Sequence, residues 1–115
     1  MELNLKYNAT KVDEIEQARN HTPIQDCIRD ISVGNLALFI QKGLIDDNGI
    51  WGVSKAVAFD TIDKYLENHD TEDLMFDIME ALIQAGFLTR DVDMKKLRQM
   101  KSQQKESIEK TLADM

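Results

Sequence analysis

The spacing of apolar residues changes period once, near the start of the chain. Over residues 2–7 apolar and polar side chains alternate, with Leu3, Leu5 and Tyr7 on one side. Alternation of this kind predicts a short, half-buried strand or an extended arm. Such a strand could pair with a second copy of the chain or pack on helices, because a lone strand needs a partner. From residue 11 onward, apolar residues recur every three or four positions, which is the period of an α-helix with one buried face.

This pattern predicts a mainly α fold, a small bundle of about five helices behind the N-terminal strand or arm. Residues that commonly cap helices mark the predicted starts. The first predicted helix covers residues 11–19 and is capped by Thr10, and a short second helix runs from Pro23 to about residue 30 and is capped by Thr22. The third covers 33–42 with Ser32 as its cap, and the fourth covers 55–68 with Ser54 as its cap. The fifth begins after its cap, Asp70 or Thr71, and ends at residue 85.

Two of the predicted helix ends have almost the same sequence. Residues 39–45 read FIQKGLI and residues 82–88 read LIQAGFL, each with a glycine after an apolar turn and a large apolar residue after the glycine. That order is typical of a Schellman ending, in which the glycine adopts the left-handed conformation. We therefore expect Gly43 and Gly86 to end the third and fifth helices in the same way.

The fifth predicted helix has an unusually wide apolar arc, with a polar strip limited to Asp73, Asp77, Glu80 and Gln84. Such a helix is either central in the fold or covered on one side by its own domain and on another by a partner. Methionines here suit a core as well as an adaptable binding surface. Trp51, in the 44–53 loop, is either folded onto the core or exposed as a partner anchor. The candidate partner-binding residues are Leu38, Trp51, Met75, Phe76, Met79 and Ile83.

Charge is unevenly distributed along the chain. Residues 1–88 hold 16 acidic and 7 basic side chains, a net of −9, whereas residues 89–115 hold 5 and 7, a net of +2. We therefore divide the chain into an acidic helical domain, 1–88, and a charged, weakly amphipathic C-terminal helical extension, 89–115. The extension could dock on the body, project into solvent or await a partner. A body this acidic disfavours nucleic acid and suits solubility or a basic partner.

Neither a membrane segment nor a reactive site is indicated. No apolar run approaches the ~20 residues that a membrane helix needs, and the single cysteine, Cys27, excludes an internal disulfide. His21 and His69 lack neighbours at ligand spacing, which argues against a metal. The Asp46–Gly49 stretch resembles a calcium loop, but Leu44 and Lys55 stand where that loop needs acids. We expect a turn there, with no cofactor and no enzymatic activity.

Residues 31–88 resemble the tail assembly chaperones of long-tailed, siphovirus-type bacteriophages and prophages of low-GC Gram-positive bacteria. The resemblance is carried by LALFIQKGL at 36–44, AFDTIDKYL at 58–66 and LMFDIMEALIQAGFL at 74–88, and the opening residues 1–23 are similar in element order. It implies a helper that binds the long, helical tape measure protein in the host bacterial cytoplasm and is absent from the mature virion. A longer product made by ribosomal frameshifting would recruit tail tube protein.

Two other functions are open on the sequence alone. The acidic body is compatible with an inhibitor that mimics DNA or blocks a basic host or phage protein. A structural head-tail adaptor is the other alternative, and it would be found in purified virions, unlike a chaperone. The chaperone and the inhibitor differ in their response to salt, because apolar groove binding is less screened than pairing of charges.

Overall fold

The computed structural model describes residues 3–88 of the 115-residue chain, so the expected C-terminal extension, 89–115, lies outside the described residues. The predicted mainly α bundle of about five helices is confirmed within that range. The helices are α1 (Ala9–Ala18), α2 (Ile24–Cys27), α3 (Val33–Gly43), α4 (Lys55–Tyr65) and α5 (Thr71–Ala85). None of the described helices is long and apolar enough to cross a membrane.

Helix α3 lies at the centre and contacts α1, α4 and α5. Its buried side chains include Leu36, Phe39 and Ile40, each fully covered. The apolar stripes of the flanking helices close around it, as the helical period predicts. The buried core consists of Tyr7, Val12, Ile15, Ile24, Cys27, Leu36, Ala37, Phe39, Ile40, Leu44, Ala58, Ile62, Tyr65, Leu74, Met75, Ile78, Leu82 and Leu88. Val33, at the first turn of α3, is 46% exposed.

The N-terminal residues form an extended arm that pairs within the chain. Leu5 and Leu44 form a single antiparallel bridge, flanked by backbone hydrogen bonds from Lys6 to Gly43 and from Ile45 to Asn4, each 2.9 Å. Of the two expectations, strand or arm, the arm is correct, because pairing stops after one bridge. This segment packs on the segment that follows α3.

The predicted caps of α4 and α5 agree with the structure. Ser54 accepts from the amide of Val57 at 3.2 Å, and Asp70 forms a reciprocal capping box with Asp73. The expected caps of the first two helices are wrong. Asn8, two residues before Thr10, caps α1, because its side chain accepts a hydrogen bond from the Lys11 amide at 2.9 Å. Thr22 does not cap α2, because its hydroxyl donates to the carbonyl of Arg19.

The two similar glycine endings have different structures. Gly86 has φ +90°, with hydrogen bonds from the Phe87 amide to Leu82 O at 2.9 Å and from the Gly86 amide to Ile83 O at 3.0 Å. These are the two bonds of a Schellman ending, so this prediction is confirmed. Gly43 is the last residue of α3 and is not left-handed. The expectation of a second Schellman ending is therefore wrong.

Gly43 is required because there is no room for a side chain at this position. A side-chain Cβ at this position would overlap the ring of Tyr7, with the Tyr7 oxygen only 2.6 Å away. Tyr7 is buried, its hydroxyl donates to the Phe39 carbonyl at 2.9 Å, and burial raises the pKa of this phenol. The ring thus fixes the arm against the C-terminal turn of α3.

Candidate partner-binding surface

The six candidate partner-binding residues do not form one surface. Met75 lies in the core at 3% exposure, so it cannot contact a partner in this structure and is removed from the candidate surface. Leu38 lies on α3, Trp51 lies in the loop before α4, and Phe76, Met79 and Ile83 lie on α5. Each of these remaining five is half-buried.

Trp51 folds onto the N-terminal arm. Its indole Nε1 donates to the carbonyl of Lys6 at 2.9 Å, and Lys11 Nζ lies 6.0 Å from the ring centroid. The turn before it is held by Asp46, whose Oδ1 accepts from the Ile50 amide at 2.9 Å. The prediction of a turn in this loop is confirmed. Trp51 therefore ties the loop to the arm. It is half-buried, so it is neither a core residue nor a fully exposed anchor.

Leu38 packs against the core and lines a cleft of about 290 Å³. The cleft lies among the end of α1, the outer side of α3 and the start of α4, with Arg19, Gly34 and Lys55 among its other walls. None of the candidate residues on α5 lines this cleft. Leu38 therefore belongs to a different part of the surface.

Phe76, Met79 and Ile83 form an apolar strip along α5. Their spacings of three and four residues place them on one line of the helix surface. Met79 and Ile83 also pack against the buried core, whereas Phe76 is not among the core-packing side chains of the described residues. The strip is thus continuous with the core along one side and half-exposed along the other. We call these three residues the apolar strip.

The other flank of α5 carries acidic residues that line a groove of about 590 Å³. Asp73, Asp77 and Glu80 form its acidic rim, and Leu3 and Leu5 of the arm form the opposite wall. We call it the acidic groove. Its remaining lining residues are Asn4, Tyr65, His69, Ala81 and Gln84. The sequence identifies the polar strip of α5, but the facing wall depends on where the arm folds, which no local pattern encodes.

Contacts between α4 and α5 hold the rim of the acidic groove in place. The Tyr65 hydroxyl donates to Asp77 Oδ2 at 2.7 Å. The His69 ring stacks on Tyr65 with centroids 4.5 Å apart, and His69 Nδ1 lies 3.8 Å from Asp73 Oδ2. The two acids of the rim are therefore oriented by an aromatic pair on the neighbouring helix and the connection after it.

The single cysteine of the chain is covered. Cys27 is 1% exposed, its Sγ donates to the Thr22 carbonyl at 3.3 Å, and burial raises the pKa of its thiol. A protonated, covered thiol is a poor nucleophile. Among residues 3–88, no group of three His, Cys, Asp or Glu side chains is arranged to hold a metal ion.

The chain was compared with protein-family models, with curated proteins and with solved structures, and none of the three comparisons finds a match.

Proposed function

We propose that this chain is a non-enzymatic tail assembly chaperone of a long-tailed bacteriophage or prophage, which binds the tape measure protein before the tail tube polymerises. It acts in the host bacterial cytoplasm and is absent from the mature virion. A longer frameshift product of the same gene would add contacts to tail tube protein. The family resemblance of residues 31–88 is the origin of this proposal.

The structural observation that supports the proposal is the apolar strip of Phe76, Met79 and Ile83 on an acidic body. Unassembled tape measure helices carry long apolar stripes, which an apolar helix face can cover. Methionine at this strip suits a partner whose stripe varies along its length, because the flexible thioether adapts to irregular surfaces. The net charge of −9 over residues 1–88 would keep the complex in solution.

The test is co-expression of the full chain with the tape measure protein of the same phage. The measurement is the fraction of tape measure protein that stays in the supernatant after centrifugation. We expect the wild-type chain to keep it soluble and the double variant Phe76→Ser/Ile83→Ser to lose much of this effect. A wild-type chain that leaves the tape measure protein in the pellet would contradict the proposed function.

A matched control separates the strip from general loss of surface hydrophobicity. Val33→Ser/Val57→Ser removes two apolar side chains that are 46% and 47% exposed on other helices. This control should keep the tape measure protein soluble. Thermal unfolding of both variants is required alongside, because Ile83 also touches the core. If Phe76→Ser alone unfolds the chain, the strip is part of the core and the binding surface lies elsewhere.

The acidic groove favours one alternative, an acidic inhibitor that binds a basic host or phage protein. Its rim of Asp73, Asp77 and Glu80 would bind through charge, so affinity should fall steeply as salt rises. The affinity of a partner bound through the apolar strip should change much less over the same salt range. The head-tail adaptor is tested by mass spectrometry of purified virions, in which an adaptor is present and a chaperone is absent.

A further inference from the structure

We propose that the acidic groove is the docking site of the chain's own C-terminal segment, residues 89–115. This inference is independent of the tail-chaperone proposal, because the groove lies beside the apolar strip on α5 and none of the three strip residues lines it. Three features carry it: the construction of the groove, the point at which the chain leaves the described body, and the charge pattern of the segment.

The groove combines an apolar wall with a charged rim. Leu3 and Leu5 on the arm and Ala81 on α5 supply apolar surface, and all three are half-buried. Asp73, Asp77 and Glu80 supply the rim. A groove of about 590 Å³ with these walls fits one side of an amphipathic segment, whose apolar residues face inward and whose basic residues meet the rim.

The chain leaves the described body beside the groove. Helix α5 ends at Ala85, Gly86 turns the backbone at φ +90°, and Leu88 is buried at 8% exposure. Leu88, the last described residue, is therefore only four residues beyond Gln84, the last groove residue on α5. From residue 73 to residue 84 the groove wall extends for about 17 Å at a rise of 1.5 Å per residue. Residues 89–115 are long enough to turn back and cover that distance.

The segment has the complementary charge. Residues 90–105 contain six basic side chains and two acidic ones, and these basic residues alternate with Met94, Leu97 and Met100. The three apolar residues recur every three positions, as on one side of a helix. A basic, amphipathic segment is thus tethered next to an acidic, apolar-walled groove. Tethering raises its effective concentration to levels that a free partner rarely reaches.

The experiment uses the full chain with Cys27→Ala and a spin label at a new cysteine, Gln104→Cys or, separately, Ser102→Cys. Paramagnetic broadening of backbone amide signals in ¹⁵N-labelled protein is then measured. We expect peak heights of Leu5, Asp77 and Glu80 to fall to less than half with at least one label. Unchanged heights with both labels would overturn the proposal.

Two controls keep the result specific. Glu80→Lys should reduce the broadening of the groove signals, whereas Glu67→Lys, the same charge change at an exposed position of the α4–α5 connection, should not. Equal effects of the two reversals would mean that net charge alone is responsible and would refute docking in the groove. In the second control, ¹⁵N-enriched chain that carries no spin label is mixed with spin-labelled chain that is not ¹⁵N-enriched. The amide signals of this mixture should show no broadening. Broadening in that mixture would assign the groove to a second copy and overturn the intramolecular proposal.

Discussion

The replacement Gly43→Ala tests why a glycine ends α3. Gly43 is helical, so an alanine there has no backbone strain and should stabilise the helix by about 0.5–1 kcal/mol. The Tyr7 ring, however, occupies the place of the new Cβ, with Cε1 2.5 Å and the hydroxyl oxygen 2.6 Å from it. Overpacking of this kind costs about 1–3 kcal/mol.

Movement of the ring adds a second cost. If Tyr7 shifts, its hydroxyl loses the 2.9 Å hydrogen bond to the Phe39 carbonyl, and an unsatisfied buried group costs about 1–3 kcal/mol. We expect Gly43→Ala to lower the free energy of unfolding by about 1–5 kcal/mol, which is the two costs less the gain in helix stability. The assay is urea unfolding followed by far-ultraviolet circular dichroism, with the midpoint and slope compared with wild type.

Two further variants isolate the cause. Gly34→Ala changes the same helix where no atom lies within 4 Å of the new Cβ, so it should raise stability by about 0.5–1 kcal/mol. In a Tyr7→Leu background the clash is gone, and Gly43→Ala should become neutral or stabilising. The resulting coupling energy should reach about 2–3 kcal/mol. If Gly43→Ala costs about 1–2 kcal/mol in both backgrounds, the residue is left-handed and the packing argument is wrong.

Three other changes test the helix ends and a fourth tests a carboxylate, all by the same unfolding assay. Gly86→Ala should cost about 1 kcal/mol despite open space around the residue, because φ is +90°. Asp70→Ala should cost about 1 kcal/mol through loss of a cap that bonds the backbone, whereas Ser32→Ala should cost less, because its side chain makes no cap bond and interacts with Asp30 instead. Hydrogen bonds from the Ser32 amide and then from the Ser32 hydroxyl, followed by the charge of Arg19, lower the pKa of Asp30. The contribution of Asp30 to stability is therefore present above the unfolded-state pKa and lost as pH falls through the lowered folded value. Asp30→Asn should therefore flatten the loss of stability below pH 4, and an unchanged acid limb would contradict this.

The sequence predicts α5 well because both of its ends are encoded locally. Asp70 and Asp73 form their capping box across three residues, and Gly86 takes its left-handed turn without any distant contact. The number of helices and the mainly α fold follow from the same short-range periodicity. Ser54 succeeds as a predicted cap for the same reason.

The wrong caps of α1 and α2 are local errors, because each is decided by a contact three residues away. The other errors occur where a distant residue decides. Gly43 shares its local sequence with Gly86, but the ring of Tyr7, 36 positions earlier, determines its role. Trp51 is placed by a hydrogen bond to Lys6, 45 residues away. The acidic groove requires the arm and α5 to meet, and Met75 faces the core although its neighbour Phe76 does not. Periodicity gives the faces of a helix but does not say which element covers each face.

The arrangement on α5 constrains the chemistry of any partner of the apolar strip. Glu72 and Glu80 stand four residues before and after Phe76, so they lie on the same side of the helix and flank it. A partner helix packed 8–10 Å away on the strip would bring its own flanking side chains within reach of these carboxylates. The preferred partner therefore combines an apolar stripe with basic flanks. Its affinity should fall with salt only modestly, because the carboxylates are exposed and contribute little per pair, while most of the binding energy comes from the buried strip.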